Sequence, residues 1–362
     1  MRTVGVEEEL LLVDPGTGEP QASAAAVLAR ASLVDPGQDV FEKELYGQML
    51  EFATHPQSDM AELGEEIVRC RKEAARLAGE LGSAVVALAS SPLPVSPSIS
   101  VNRRYQWMAE HYGIATREQL VCGCHVHVAV ESEDEGVGVL DRVRPWLPVL
   151  TAISANSPFW QGNDTGYASY RSRVWTRWPS AGPTELFGSP GRYHRLVADM
   201  VATGVILDEG MAYFDARLAR RYPTVEIRVA DVCLRAETAV LVATLARALV
   251  ETAAREWRAG REPVDHGVAL HRLAAWRAAR SGLGGELLDP GTLRPRAAPA
   301  VLDSLLAHTR DALVGSGDLA AVEEAVERLL RRGNGADEQR ELLADTGSLR
   351  DVVTECVRRT QE

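Results

Sequence analysis

Residues 224–231 of this chain, TVEIRVAD, alternate apolar and polar side chains. This alternation is typical of a β-strand that buries one face and leaves the other face polar. The apolar residues from Val225 to Val229 are expected on one face, and Glu226 and Arg228 on the opposite face. A carboxylate and a guanidinium are costly to bury together unless a metal ion or a phosphate balances their charge. The segment therefore predicts a sheet that holds a charged ligand on its polar face.

Four further segments repeat this design. Near the amino terminus, Glu7 and Glu9 share one strand face, about 7 Å apart at a rise of ~3.3 Å per residue. Residues 124–130 place His125 and His127 on one face and valines on the other. Two weaker segments follow the same parity, one with Glu51 and one with Asp215 and Arg217. Five such segments together predict a single sheet that lines one polar cavity.

Composition limits the classes of partner. The formal net charge of −12 argues against nucleic acid, which requires a basic face, although local arginine clusters still permit small anionic substrates. Five cysteines are too few, and odd in number, for a disulfide framework, so a reducing cytoplasm is expected. We expect neither a signal peptide nor a membrane partner, because no apolar run of the required length is present.

The predicted secondary structure changes near residue 236. Residues 1–236 mix strands and helices, with a predicted strand region at 39–54 and an amphipathic helix from Asp59 that packs outside the sheet. The rest is predicted to be mainly helical and part of the same single domain, residues 1–362. The helices are expected at 237–259, 266–281, 299–314, 318–332 and 338–359, and a further one at 139–156.

Each motif also has a plainer interpretation. The two histidines of residues 124–130 could be satisfied core residues, and Glu226 with Arg228 could be a cross-strand ion pair. A zinc site is disfavoured, because Cys122 and Cys124 have one residue between them and the surrounding acids favour Mg²⁺ or Mn²⁺. Glu8, on the apolar face of its strand, is expected to form a salt bridge at a sheet edge.

Taken in order, the motifs resemble those of a known family. They are GVEEE at 5–9, MLEFAT at 49–54, GCHVHV at 123–128, the polar loop at 154–175 and TVEIR at 224–228 with Asp231. This ordered set resembles the glutamate–cysteine ligase type 2 (carboxylate–amine ligase) family over nearly the whole chain. The resemblance implies an α+β fold similar to glutamine synthetase: a curved antiparallel sheet forming a funnel, with helices packed outside and a helical C-terminal third.

The resemblance also implies a reaction. Members of such a family transfer the γ-phosphate of ATP to a carboxylate, and an amine then attacks the acyl phosphate to give an amide. The cofactors would be ATP with Mg²⁺ or Mn²⁺, and the default substrates L-glutamate and L-cysteine, giving γ-glutamylcysteine, ADP and phosphate. Two alternatives remain open: a zinc-dependent hydrolase built on His125 and His127, and a nucleotide-binding relative without turnover. Homo-oligomerisation through the helical third also remains open.

By the same resemblance, particular residues receive roles. The implied metal ligands are Glu7, Glu9, Glu51, His125 and Glu226. Arg228 would hold the transferring phosphoryl group, with Glu226 and Arg228 as the catalytic residues. The implied substrate- or ATP-binding residues are His127, Trp160, Tyr167, Arg171, Arg173 and Arg217. Because Tyr46 and Gly47 stand where some relatives carry an acid, the number of metal ions is left open.

Overall fold

The computed structural model describes residues 1–34 and 40–362. Within these ranges the largest sheet has seven strands in the order β2-β3-β1-β5-β9-β8, with β4 paired to β1. The strands are β1 (Val4–Val13), β2 (Phe41–Lys43), β3 (Met49–Ala53), β4 (Ala84–Val86), β5 (Gly123–Ala129), β6 (Phe159–Trp160), β7 (Asn163–Asp164), β8 (Ala216–Leu218), β9 (Thr224–Asp231), β10 (Glu286–Leu288) and β11 (Pro295–Ala297). All pairings between these strands are antiparallel.

Helices surround this sheet and form most of the last third of the chain. They are α1 (Ala24–Val34), α2 (Met60–Gly79), α3 (Arg103–Tyr112), α4 (Ile114–Arg117), α5 (Glu133–Val143), α6 (Leu147–Ser154), α7 (Tyr170–Trp175), α8 (Pro190–Ala202), α9 (Ala236–Arg258), α10 (Val268–Ser281), α11 (Ala298–Ser316), α12 (Leu319–Arg332), α13 (Gly335–Thr346) and α14 (Leu349–Thr360). The predicted α+β fold class, with an antiparallel sheet and a helical C-terminal region, is confirmed. No helix among the described residues has both the length and the apolarity needed to cross a membrane.

The apolar face of the sheet packs against helices and forms the core. Val6, Val126 and Ile227, from three adjacent strands, are each at most 1% exposed. Helices α2, α5, α6 and α9 contribute buried aliphatic residues to the same core. Because side chains alternate along a strand, this packing leaves the second face of the central strands free to carry polar groups.

Glu8 is the exception on the apolar face. The Arg71 Nε and Nη2 atoms donate to its two carboxylate oxygens at 2.7 and 2.8 Å, and both side chains are fully buried. Arg71 also donates to the backbone carbonyls of Cys233, Leu234 and Thr360. The predicted salt bridge is therefore present, but its expected place at a sheet edge is wrong, because β1 is paired on both sides.

Some predicted boundaries differ from the structure for local reasons. The strand region 39–54 is the β2–β3 hairpin, and its first residue lies outside the described residues. The helix expected at 338–359 is two helices, because Gly347 adopts a φ of 67° and the Ser348 side chain caps α14. The helix expected at 139–156 starts earlier, where Ser132 caps α5, and a 3₁₀ turn at Arg144–Trp146 separates α5 from α6.

A β-bulge in the β5–β9 pairing changes the parity of β9. The register shifts between Cys124 and Val126, so one residue of β5 faces two residues of β9. As a result Val229, expected in the core, is only half-buried, and Ala230 is fully buried instead. Asp231, paired with Gly123, then lies on the same polar face as Glu226 and Arg228.

Candidate active site

The polar face of the sheet forms a cavity of about 250 Å³, which we call the first cavity. Its side chains come from β1, β3, β5, β8 and β9 and from the covering segments that carry Tyr105, Trp175 and Tyr213. Six residues that the sequence predicts for the site line it: Glu7, Glu9, Glu51, His125, Arg217 and Arg228. The prediction that separate strand segments share one polar cavity therefore agrees with the position of these residues.

One group of possible metal ligands consists of Glu7, His127 and Glu226, whose ligand atoms lie within 4.8 Å of one another. His125 Nδ1 lies 3.3 Å and His127 Nε2 lies 3.2 Å from the Glu7 carboxylate. Burial alone would raise the pKa of Glu7, but the hydrogen bonds and charges of both imidazoles hold it well below its usual range. Thr224 Oγ1 lies 3.0 Å from His127 Nδ1, which fixes the imidazole orientation.

A second group consists of Glu9, Glu44 and Glu51, again with ligand atoms within 4.8 Å. Burial and the charge of Glu44 raise the pKa of Glu9 to about 7. The same two causes raise the pKa of Glu51 well above its usual value. Three carboxylates this close repel one another unless a cation or protons lie between them.

Glu44 is a candidate ligand to which the sequence analysis gave no role. It follows β2 in the turn of the β2–β3 hairpin, where no strand periodicity continues. The sequence feature that could have identified Glu44 is its position two residues after Glu42, because alternate residues of an extended segment share a face.

Glu226 connects two arginines on the floor of the first cavity. Arg217 Nε donates to Glu226 Oε2 at 2.6 Å, and Arg228 Nη1 contacts the other oxygen. Burial would raise the pKa of Glu226, but the two guanidiniums keep it well below its usual range. The cross-strand partner of Glu226 is Arg217 of β8, whereas its ion pair with Arg228, considered in the sequence analysis, exists within β9. It is buried, with 2% of Glu226 and 8% of Arg228 exposed, so it is not a solvated surface pair.

Several buried donors facing this region have no hydrogen-bond partner among the described residues. They include His125 Nε2 and Arg228 Nε. Burial and the charge of Arg228 lower the pKa of His125 to about 4, so its imidazole is neutral at pH 7 and can donate a lone pair. Carboxylate oxygens suit Mg²⁺ or Mn²⁺, and the imidazole nitrogens of the first group also suit transition-metal ions. The residues present therefore fit divalent cations in both groups of ligands.

A second cavity, of about 320 Å³, adjoins the first and shares Trp175 and Arg228 with it. Arg171 and Arg173 of α7 line this second cavity rather than the first, although the charge of Arg171 also acts on Glu9. Arg171 is 2% exposed and passes directly over Gly123, where a Cβ atom would lie 2.1 Å from Arg171 Nη2. A side chain at position 123 would therefore displace the Arg171 guanidinium from its present position.

Trp160 and Tyr167 lie apart from both cavities. Their rings are 5.7 and 5.8 Å from that of Tyr170, at the start of α7. The Tyr167 hydroxyl also accepts a hydrogen bond from Trp276 of α10 at 3.2 Å. Among the described residues, neither side chain lines the first or the second cavity.

Comparison with known sequences gives matches over the whole chain. A family model described as glutamate-cysteine ligase family 2 matches residues 3–355. A protein of Streptomyces avermitilis, provisionally named glutamate–cysteine ligase 2-1, is 76% identical over 361 residues, with 100% of both chains covered. A protein of Streptomyces coelicolor, provisionally named glutamate–cysteine ligase 2, is 72% identical over 361 residues, with 100% of this chain and 99% of that chain covered.

Solved structures share the fold at low sequence identity. The crystal structure of glutamate–cysteine ligase from Francisella tularensis in complex with AMP has a TM-score of 0.71 and 14% identity, and the match covers 99% of this chain and 88% of that chain. A bifunctional glutathione synthetase from Pasteurella multocida has a TM-score of 0.73 and 14% identity, covering 99% of this chain and 52% of that chain. At this identity the likeness establishes the fold alone.

Proposed function

Because the chain belongs to the glutamate–cysteine ligase family 2, we propose that it is an ATP-dependent carboxylate–amine ligase. The reaction would pass through an acyl phosphate, with L-glutamate and L-cysteine as the default pair. The proposed products are γ-glutamylcysteine, ADP and phosphate. Family membership favours this activity over the zinc-dependent hydrolase considered from the sequence.

One observation carries the proposal: two groups of candidate metal ligands, five carboxylates and one imidazole, lie beside a buried arginine on the polar side of the sheet. Transfer of a phosphoryl group to a carboxylate brings two anions together, and their repulsion is the main electrostatic obstacle. A site for this chemistry therefore needs several positive charges held in fixed positions. Arg228 supplies one such charge, and the two ligand groups would supply others by binding cations.

The ligand groups divide the metal-binding role. Glu9, Glu44 and Glu51 would hold one divalent ion. Glu7, His127 and Glu226 would hold another, with His125 beside them. Bound Mg²⁺ or Mn²⁺ would screen the triphosphate and the substrate carboxylate from each other.

Arg228 is proposed to bind the transferring phosphoryl group. Its guanidinium carbon lies 5.8 Å from the centre of the Trp175 ring and 6.0 Å from that of Tyr213, and Glu226 holds one of its nitrogens. These contacts fix the guanidinium, so it needs little reorganisation as negative charge develops on the phosphoryl oxygens. Arg217 would keep Glu226 in place through its own hydrogen bond.

Residues of α7 and the preceding loop are proposed to serve the substrates. Arg171 and Arg173 would bind substrate carboxylates in the second cavity. Trp160 and Tyr167 would support this region through their aromatic contacts with Tyr170. His127 remains a candidate for either a metal or an ATP contact.

The test is ADP release with Mg²⁺, ATP and amino-acid pairs. Arg228→Ala should reduce turnover about a hundredfold or more, since removing one preorganised donor to a developing anion costs roughly 3–4 kcal/mol. Glu226→Gln should reduce turnover about as much, because it removes both a metal ligand and the acidic partner of Arg228. Arg310→Ala, on an exposed face of α11, is the matched control and should behave as the native protein does. Native turnover in both site variants would refute the assignment.

Measurements on the same purified protein distinguish the ligase from the two alternative functions. Stoichiometric, tightly held zinc with hydrolysis independent of ATP would favour the hydrolase. Nucleotide binding by calorimetry without ADP formation, for any amino-acid pair, would indicate a relative without turnover.

A further inference from the structure

The second cavity has an unusual set of charged side chains. It is enclosed by α6, α7, α10 and the polar end of β9, and it opens beside the first cavity. Five charged residues line it: Asp215, Arg171, Arg173, Arg228 and Arg272. The cavity thus contains one acid among four arginines.

Two of these arginines already have acidic partners. Arg171 Nη1 lies 3.9 Å from Asp231, and Arg228 contacts Glu226. Arg173 and Arg272 form no ion pair with any other described residue; Arg173 donates one hydrogen bond, to the Thr176 hydroxyl at 3.2 Å. Two guanidiniums in this cavity therefore remain available for an anionic group.

Asp215 is the only acid of the lining, and its side chain makes no hydrogen bond within the described part of the chain. Its backbone carbonyl accepts from Arg228 N at 2.9 Å, one position beyond the pairing of Ala216 with Ile227. Asp215 therefore shares the polar face that also carries Arg217. Burial raises the pKa of Asp215 to about 7, against the opposing charges of Arg173 and Arg272.

We propose that the second cavity binds the zwitterionic head group of an amino-acid substrate, with Asp215 binding the ammonium and Arg173 and Arg272 binding the carboxylate. A ligand with one positive and one negative group satisfies the free acid and the free arginines together, whereas a simple dicarboxylate leaves Asp215 facing an anion. Asp215 and Arg272 would thus determine specificity for amino acids. The inference rests on the proposed function, because the head group belongs to either the acid or the amine substrate of the ligase.

Binding can be measured without turnover. The full chain, with Mg²⁺ and a non-hydrolysable ATP analogue present, is titrated calorimetrically with the common L-amino acids, beginning with L-glutamate and L-cysteine. Each is compared with its analogue lacking the α-ammonium (glutarate, 3-mercaptopropionate) and with its analogue lacking the α-carboxylate (4-aminobutyrate, cysteamine). The native protein should bind at least one amino acid tenfold or more tightly than both of its analogues.

Two variants assign the recognition to named side chains. Asp215→Asn should weaken amino-acid binding at least tenfold and leave binding of the analogue without ammonium unchanged. Arg272→Gln should weaken amino-acid binding at least tenfold and leave binding of the analogue without the α-carboxylate unchanged. Arg277→Gln, on the same helix but outside both cavities, is the matched control. Arg272 lies on an exposed position of α10, so its variant tests the inference even if the Asp215 variant folds poorly.

A kinetic measurement identifies which substrate occupies the cavity. Hydroxylamine, a small neutral nucleophile, can replace the amine and trap an acyl phosphate as a hydroxamate. If the cavity holds the amine, Asp215→Asn keeps hydroxamate formation and loses amide formation; if it holds the acid, both are lost. Native-like binding in both variants, or no amino-acid binding by the native protein, overturns the inference. Absence of ADP formation with intact amino-acid binding would instead overturn the ligase proposal.

Discussion

Neutralising Glu44 should stabilise the metal-free protein and remove much of its response to Mg²⁺. The ligand atoms of Glu9, Glu44 and Glu51 lie within 4.8 Å of one another. The charge of Glu44, together with burial, raises the pKa of both of the other carboxyls. Glu44→Gln removes one negative charge from this group and keeps nearly the same shape.

The size and the pH dependence of this stabilisation follow from the raised pKa of Glu9, which is about 7 in the folded protein. An unfolded glutamate titrates near pH ~4.3, so the folded state binds more protons between about pH 4.3 and 7, and its stability falls as the pH rises through this window. Above pH ~7 the loss in free energy of unfolding is complete and amounts to about 3–4 kcal/mol for a pKa shift of this size. Two charges 4.8 Å apart repel by about 3 kcal/mol at an effective dielectric constant near 20. Because Glu9 and Glu51 share the remaining charge, we expect Glu44→Gln to raise the free energy of unfolding of the metal-free protein by about 1–3 kcal/mol at pH 8.

The assay is thermal unfolding at pH 5.5 and pH 8, with EDTA or with saturating Mg²⁺. Unfolding entropy of about 2.1 cal/mol/K per residue converts 2 kcal/mol to a rise in Tm of about 3 °C for a chain of this length. Native protein should gain more from Mg²⁺ at pH 8 than at pH 5.5, because protons compete for the carboxylates. Glu44→Gln should gain less than the native protein at pH 8, because only the group of Glu7, His127 and Glu226 would remain intact to bind a cation.

Glu42→Gln provides the matched control. Glu42 lies on the same hairpin but is exposed, so its variant should keep the native Tm and the native response to Mg²⁺. A Glu44→Gln protein that is less stable than the native protein at pH 8 without metal would refute the electrostatic argument. A full Mg²⁺ response in that variant would refute the assignment of Glu44 as a ligand.

Three further changes test other parts of the structure. Gly123→Ala forces the Arg171 guanidinium to move, because the added methyl group would otherwise lie 2.1 Å from Nη2, so kcat/KM for ADP release should fall tenfold or more. Native kinetics would show that Arg171 can move without consequence. Glu8→Gln leaves the Arg71 guanidinium buried without its anion and should lower the free energy of unfolding by about 3–5 kcal/mol in urea; a loss below ~1 kcal/mol would contradict this. Trp175→Leu removes a ring that the Arg171 and Arg228 guanidiniums approach within 6 Å, so KM for the substrates should rise severalfold in steady-state kinetics. An unchanged KM would argue that the ring does not hold these guanidiniums in place.

Much of the candidate site could be predicted from strand parity alone. Glu7, Glu9, Glu51 and His125 belong to alternating segments, and alternation is a local property that the sequence states directly. Once antiparallel neighbours pair edge to edge with their apolar residues on one face of the sheet, their polar residues must lie together on the other face. No distance between segments is needed for this inference, which is why residues far apart in the chain were correctly placed on one face.

The missed features depend on contacts between distant segments. Glu44 lies in a turn, where alternation ends, so its approach to Glu9 depends on how the hairpin closes. The bulge opposite His125 depends on the register between two strands that are about a hundred residues apart in the chain, and it moved Val229 out of the core. The second cavity needs α10 to pack beside α7, and helical periodicity in one segment does not identify its neighbour.

The three consecutive glutamates of β1 show how one strand serves stability and chemistry together. Glu8 faces the core, where Arg71 binds it with two hydrogen bonds and also reaches the Thr360 carbonyl near the end of the chain. A slip of β1 by one residue would separate this pair and bury Glu7 and Glu9 in the apolar core without partners, which is prohibitively costly. The buried pair therefore fixes the register that presents Glu7 and Glu9 to the cavity. Contacts on the apolar face thus supply the stability that holds the acids close together on the polar face, where cations can balance their repulsion.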